Sequence, residues 1–238
     1  MNNYSNNDSF VYEGKDLESM SFAQNYHNWI YENIETELGN KIAEIGSGVG
    51  NFTEFLLRNG HARIDAYEPC TKMHLKNKFS KNPRVKCINS NFESVSKGCD
   101  DKYDSVIFIN VLEHIKHDLD AIMNAHRIIR RGGKLIIFVP ALQFLYSNFD
   151  RSIGHYKRYQ KSELTKLAQN ANFKIMSCRY FDSLGTIPWF IFMKVMGHGL
   201  SSRNTYAYDT FVVPWLKSVE KIIPPPIGKN LLLTASRE

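Results

Sequence analysis

Apolar residues recur at intervals of three or four through Phe22, Tyr26, Trp29, Ile30, Ile34 and Leu38. That spacing predicts a helix beginning near Ser21, with one packing face, stopped by Gly39 and Asn40. Beyond it the period changes. Short apolar runs at Lys41 to Ile45, Arg63 to Tyr67, Val85 to Asn89, Tyr103 to Ile109 and Lys134 to Val139 read as strands, the last ended by Pro140. Between them, Asn51 to Leu57, Met73 to Phe79 and Leu119 to Ile129 read as helices, and Arg131-Gly132-Gly133 as a turn. Strands alternating with helices imply parallel pairing through crossovers and a sheet covered on both faces.

After Pro140 the rhythm breaks. Residues 141 to 161 mix aromatic and polar side chains and read as a loop, followed by a helix over Ser162 to Ala171 with Ser162 as its N-cap and Glu163 in its first turn. A strand follows at Phe173 to Tyr180, then an apolar insert over 184–200, the rigid Pro224-Pro225-Pro226 turn and a last strand at Asn230 to Ala235. At 238 residues the chain accommodates one substantial core. We expect 1–39 to form an N-terminal arm and helical cap, with the first 18 or so residues frayed. Residues 40–140 form a ligand-binding core, and 141–238 form the second half of the same domain.

Gly46, Gly48 and Gly50 follow a strand and open a helix, so a ligand can approach the backbone beyond the strand's carboxyl end. The spacing is GxGxG, not the dinucleotide GxGxxG, and no Lys-Ser/Thr pair follows as in a phosphate-cradling loop. A nucleoside site without pyrophosphate fits better. Glu68, at the end of the second strand, stands where a carboxylate accepts hydrogen bonds from both ribose hydroxyls. Asn91 and Phe92 follow the third strand and are placed to flank a base. Asn110, Val111, Leu112, Glu113 and His114 end the fourth strand and face the same crevice.

Together, Glu44-Ile-Gly-Ser-Gly-Val-Gly50, Glu68, Asn110-Val-Leu-Glu-His114 and Arg131-Gly-Gly-Lys-Leu135 resemble the class I S-adenosylmethionine-dependent methyltransferases across residues 40 to 140. The resemblance implies an α/β, Rossmann-like fold with a seven-stranded, mostly parallel sheet, helices on both faces and an antiparallel C-terminal strand. It implies S-adenosyl-L-methionine as cofactor and S-adenosyl-L-homocysteine as product. Glu44, Gly46, Ser47, Gly48 and Gly50 would pass against the amino-acid and ribose portions, Glu68 would hold the ribose, and Asn91 with Phe92 would flank adenine. Ser90-Asn91 stands where many relatives carry Gly-Asp, so an amide replaces a carboxylate there.

Asp150-Arg-Ser-Ile-Gly-His-Tyr-Lys-Arg-Tyr159 and Gly228-Lys-Asn-Leu-Leu-Leu233 resemble a bacterial subset of that family, some of whose members stand beside glycosyltransferases. That adds a sugar or lipid-linked glycan to the acceptors a small-molecule enzyme would take. A hydroxyl acceptor needs a base, and His155, beyond the fifth strand, is the candidate; a loop clamp of Asp150, Arg151, His155, Arg158 and Tyr159 is the structural alternative. His114, Arg158, Tyr159 and Trp189 are expected on the acceptor side. Tyr26 is placed in the site ahead of His27, which is expected to be exposed. O-methylation is the main expectation and N-methylation its nearest variant. A non-catalytic protein that keeps the fold is the alternative of a different class.

A net charge of +6 favours anionic encounter partners, but the basic residues are scattered and nucleic acid is not expected. The turn Asn110-Val-Leu-Glu113 lacks the proline pair of amine-directed DNA methylation, and Pro69-Cys70 lies on the wrong strand for cytosine chemistry. Cys70, Cys87, Cys99 and Cys178 are too scattered for a metal cluster and read as reduced thiols of a cytoplasmic protein. Met1 to Asp8 lacks a signal-peptide pattern, and no apolar run reaches 18 residues, so no span is expected. The stretch 187–196 would form a lid, a homodimer face or a peripheral membrane contact.

Overall fold

The computed structural model of the chain describes residues 23–60, 63–69, 72–89, 92, 101–195 and 202–238, excluding the side chains of 72–74, 193 and 202. Seven strands are formed: β1 (Lys41–Ile45), β2 (Arg63–Tyr67), β3 (Val85–Ile88), β4 (Tyr103–Ile109), β5 (Ile129–Pro140), β6 (Lys174–Phe181) and β7 (Asn230–Ser236). They join one sheet in the order β3-β2-β1-β4-β5-β7-β6. The first five pair in parallel. β7 runs antiparallel to both β5 and β6. This is the expected Rossmann-like fold, and it brings the carboxyl ends of β1, β2, β4 and β5 to one edge.

Among the helices are α1 (Gln24–Glu32), α2 (Asn51–Arg58), α3 (Lys72–Phe79), α4 (Asp118–Ile128), α5 (Asn148–Ser152), α6 (Lys161–Asn170) and α7 (Val213–Ile222). Period-two alternation in β5 sends Leu135, Ile137 and Val139 to one face, where they pack with Ile122 and Ala125 of α4 and Leu164 of α6. Ile136 and Phe138 go to the other face, against Trp29 and Ile30 of α1, Leu56 of α2 and Leu216 of α7. Both faces are therefore dry, as parallel strands require.

Several boundaries differ from expectation. α1 stops at Glu32, and a 3-10 turn, Glu35–Glu37, takes the chain on to β1. Its N-terminus is capped from far along the chain: Asp209 accepts the backbone N–H of Asn25 and of Tyr26 at 3.0 and 2.8 Å. Ser162 is not an N-cap; it lies inside α6, whose cap position is Gln160. Arg131 to Gly133 do not form a free turn, because they bulge out within β5 between the pairs Tyr103/Ile129 and Ser105/Lys134. The segment after Pro140 is not simply a loop. It contains a 3-10 turn, Gln143–Leu145, and α5. The apolar insert is helical over Thr186–Pro188 and Trp189–Val195, the latter with the wider π-helical turn. The N-terminal arm up to residue 22 and the end of the insert, 196–200, lie outside the described residues. Among the described residues no helix is long and apolar enough to cross a membrane.

At the entry to α2, Gly50 holds φ at +79°, and a Cβ placed there would come within 2.4 Å of the Phe79 ring. Gly60 has φ +89° with nothing within 4 Å of such a Cβ. Gly60→Ala therefore meets backbone strain alone, about 1–2 kcal/mol, and Gly50→Ala meets strain plus overpacking, about 2–4 kcal/mol. Urea unfolding of the two variants is expected to show that order.

Candidate functional site

The carboxyl end of β1 turns sharply across β2. Gly46 and Ser47 both donate their backbone N–H to the Tyr67 carbonyl, at 2.8 and 3.1 Å. Gly48 donates its N–H to Glu68 Oε2 at 2.8 Å, so the second-strand acid also anchors the glycine loop. Gly46 has φ +68°, and a Cβ there would collide with the methyls of Val111 at 2.5 Å. Beneath the loop, Thr53 Oγ1 donates to Glu44 Oε2 at 2.5 Å. Burial pushes the Glu44 carboxyl up to about 8, against the pull of the Thr53 hydrogen bond. Ser47 Oγ is buried with no hydrogen-bond partner in the protein.

This loop forms one wall of a cavity of about 180 Å³. Gly46, Ser47, Glu44 and Asn51 line its floor, Tyr26, His27 and Phe52 one side, and Asn110, Glu113 and His114 the end of β4. Phe149, Ile153, His155 and Arg158 come from the segment after β5, while Trp189, Lys229 and Asn230 close the far side. Tyr26 donates its hydroxyl to Asn230 Oδ1 at 3.1 Å, joining α1 to the start of β7.

Asp150, fully buried, organises the end away from the glycines. Its carboxylate accepts the Ser147 N–H at 2.8 Å and hydroxyl at 2.7 Å, completing a capping box for α5. It also accepts Arg158 Nε at 2.9 Å and Nη2 at 2.8 Å. His155 Nδ1 lies 3.0 Å from its Oδ1. Burial would raise this carboxyl, but the hydrogen bonds from His155, Arg158 and Ser147 and the Arg158 charge bring it down to about 2. An ionised carboxylate only accepts, so His155 Nδ1 carries the proton. The other ring nitrogen, Nε2, sits 3.8 Å from Glu113 Oε1.

Glu113 is buried, and its carboxylate oxygens meet no hydrogen-bond donor from another residue. Burial pushes it up to about 7, opposed by the charges of His155 and Arg158. The rings of His114 and His155 meet edge to face with centroids 4.6 Å apart. Burial, then the neighbouring His155, lowers His114 to about 3. The Arg158 guanidinium stacks 4.5 Å over the Trp189 ring.

The sequence-predicted residues Tyr26, Glu44, Gly46, Ser47, Asn110, His114, His155, Arg158 and Trp189 thus meet around one cavity. Others do not line it. Phe92 packs into the core between Tyr67 and Phe108. Val111 packs on Gly46. Tyr159 is buried, donating to the Leu112 carbonyl and Asp118 carboxylate. Glu68 and Gly48 bond to each other, Gly50 packs on Phe79, and Asn91 lies outside the described residues. His27 is not exposed. It is buried against Phe52, because α1 is covered by α2 as well as by the sheet, and burial lowers it to about 4. Lys229 and Asn230 belong to a segment that resembles the bacterial subset, but nothing in the sequence assigned them to the site. They reach the site because antiparallel β7 starts at the edge where the parallel strands end.

Seven strands in this order, with a glycine loop at the carboxyl end of β1 and a cavity beyond it, define the class I S-adenosylmethionine-dependent methyltransferase fold. A family model described as a methyltransferase domain matches residues 23–177, and the chain belongs to that family. It is similar to the ubiquinone biosynthesis O-methyltransferase of Aliivibrio fischeri, at 24% identity over 54% of this chain and 52% of that protein. It is also similar to a highly reducing polyketide synthase of Pyricularia oryzae, at 32% identity over 41% of this chain. The match spans 4% of that protein's length. Two solved structures share the fold. One is a Burkholderia thailandensis 1,6-didemethyltoxoflavin N1-methyltransferase with bound S-adenosylhomocysteine, at TM-score 0.62, 14% identity and coverage of 95% and 83% of the two chains. The other is a Streptomyces coelicolor geranyl diphosphate C-methyltransferase, at 0.63, 11%, 89% and 76%.

Removing the Asp150 charge leaves Arg158 buried and unpaired. Asp150→Asn is expected to cost about 3–5 kcal/mol at pH 7. Because the native carboxyl is held below its unfolded value, its contribution is complete above about pH 4 and is lost as pH falls toward 2. Denaturant unfolding of wild type and variant is expected to converge across that window.

Proposed function

We propose that the protein transfers a methyl group from S-adenosylmethionine to a hydroxyl of a small-molecule or glycan-related acceptor. One observation carries this: a single cavity is lined at one end by the glycine loop and at the other by the Asp150-fixed His155. The glycine-loop end fits the cofactor. Ser47 Oγ is buried without a protein partner, Glu44 lines the floor, and Gly46 presents no Cβ. We assign Glu44, Gly46, Ser47 and Asn110 to its amino-acid and ribose portions, and Glu68 to the ribose. Glu68 acts both by its carboxylate and by holding Gly48. Asn91 and Phe92 are assigned to the adenine side, with Phe92 shaping it from within the core. When bound, the cofactor supplies a methyl group already activated on a sulfonium, so the protein's work is alignment, exclusion of water and proton removal.

His155, with Nδ1 committed to Asp150, presents Nε2 to the cavity, and we assign it to the acceptor's proton. His114, Arg158 and Trp189 wall the acceptor end. Beside Trp189, Ile187, Phe190, Ile191 and Phe192 are exposed. These residues suit an acceptor with an apolar portion, and the resemblance of 150–159 to glycosyltransferase-associated relatives favours a sugar-bearing one.

Calorimetric titration with S-adenosylmethionine is expected to show binding that weakens about 10- to 100-fold in Glu68→Ala. Unchanged affinity in a folded variant would remove Glu68 from the ribose role. In a mass-shift screen over sugar nucleotides, lipid-linked sugars, phenols and amines, a hydroxyl compound is the expected product. With that acceptor, His155→Ala should lower turnover about 10²- to 10⁴-fold while cofactor affinity holds. Near-normal turnover would exclude His155 from proton removal.

A further inference from the structure

We propose that Glu113, His114 and His155 hold a divalent transition-metal cation at the acceptor end of the cavity. The inference rests on the acceptor end proposed above and adds a ligand to it. One ligand atom from each residue lies within 4.8 Å of the others. His155 Nε2 and Glu113 Oε1 are 3.8 Å apart. Ligands at about 2.0–2.2 Å around a tetrahedral cation stand about 3.3–3.6 Å from one another. Side-chain shifts of an ångström or less therefore close the site.

The second observation is independent of this spacing. Glu113 is 1% exposed, and apart from its own backbone N–H its carboxylate oxygens meet no hydrogen-bond donor. A buried carboxylate in that condition is costly unless a cation or donor meets it. Arg158, whose charge also acts on Glu113, is committed to Asp150.

The surroundings of the two imidazoles match what ligating histidines need. A metal-bound histidine donates its other ring N–H to a carboxylate or a backbone carbonyl, which fixes tautomer and orientation. His155 has Asp150 at its Nδ1, and His114 is hydrogen-bonded to the backbone of Gly154. The mounts are also tied together. Glu113 and His114 sit on the 3-10 turn Leu112–His114 directly after β4, and Tyr156, next to His155, donates its N–H to the Glu113 carbonyl at 2.8 Å.

Two nitrogens and one carboxylate select a cation such as Zn²⁺, Co²⁺ or Fe²⁺ over Mg²⁺ or Ca²⁺, which prefer all-oxygen shells. All three residues line the cavity, so its open coordination positions face the acceptor. An acceptor oxygen completing the coordination would be oriented and would lose its proton to water more readily. With a cation held there, the Nε2 lone pair is committed to it, so His155 serves as a ligand in place of the proton acceptor and the acceptor's proton passes to water.

The test is titration of the chelator-treated full chain with Co²⁺, read by visible d–d absorption. A saturable one-to-one band is expected, abolished by Zn²⁺ and indifferent to excess Mg²⁺. Glu113→Gln and His114→Gln should each weaken it at least about tenfold, and Asp150→Asn about 10- to 100-fold through His155. Absence of a saturable band in wild type overturns the proposal by itself, as does unchanged affinity in either Gln variant shown to be folded by circular dichroism. S-adenosylmethionine titration of the same samples keeps the two proposals apart. Cation binding without cofactor binding sinks methyl transfer and leaves the metal site, and the reverse result sinks only the metal site.

Discussion

The part of the cavity opposite the glycine loop depends on one buried carboxylate. Asp150 is stable as an anion only because Arg158, His155 and Ser147 surround it, and each of those partners belongs to a different part of the segment between β5 and α6. A buried charge with this many donors costs a great deal to leave half-satisfied. The segment therefore folds as a unit or not at all, although it contains only one short helix. The interaction also orients two side chains that point elsewhere: Arg158 is laid flat over Trp189, and His155 is turned toward Glu113.

The two ends of the cavity are built by opposite means. At the glycine end, backbone does most of the work: three N–H groups are spent on Tyr67 and Glu68, and the absence of a side chain on Gly46 lets Val111 lie against the turn. That end is shaped by the fold class. At the other end, charged and imidazole side chains from residues 113 to 158 converge. Proteins that share this fold are named as O-, N- and C-methyltransferases, so the fold class does not by itself fix the acceptor atom.

What was legible in the sequence follows the same division. The strand, glycine loop and helix at 41–58 are contiguous, so their pattern announces the site before any folding. The α1 cap was invisible because Asp209 supplies it from 184 residues away. Local propensity favoured Ser162 as a cap and Arg131 to Gly133 as a turn. In the structure α6 already begins at Lys161, and residues 131–133 are taken up as a bulge of β5 opposite β4. His27 was misjudged because one amphipathic face was assumed for a helix buried on two. Glu113, His114 and His155 carry no metal-like spacing, since the turn after β4 and the loop after β5 meet only when the parallel sheet has formed.

The position of β7 has a consequence for how the chain is made. β6 pairs only with β7, and β7 lies between β5 and β6 in the sheet although it comes last in sequence. During synthesis on a ribosome, β5 and β6 emerge with open hydrogen-bonding edges and must await β7, which inserts between them. Until then Lys229 and Asn230 are absent from the cavity wall, so the cavity is completed only when β7 has been made and docked. A nascent or truncated chain is exposed to edge-to-edge aggregation at that step.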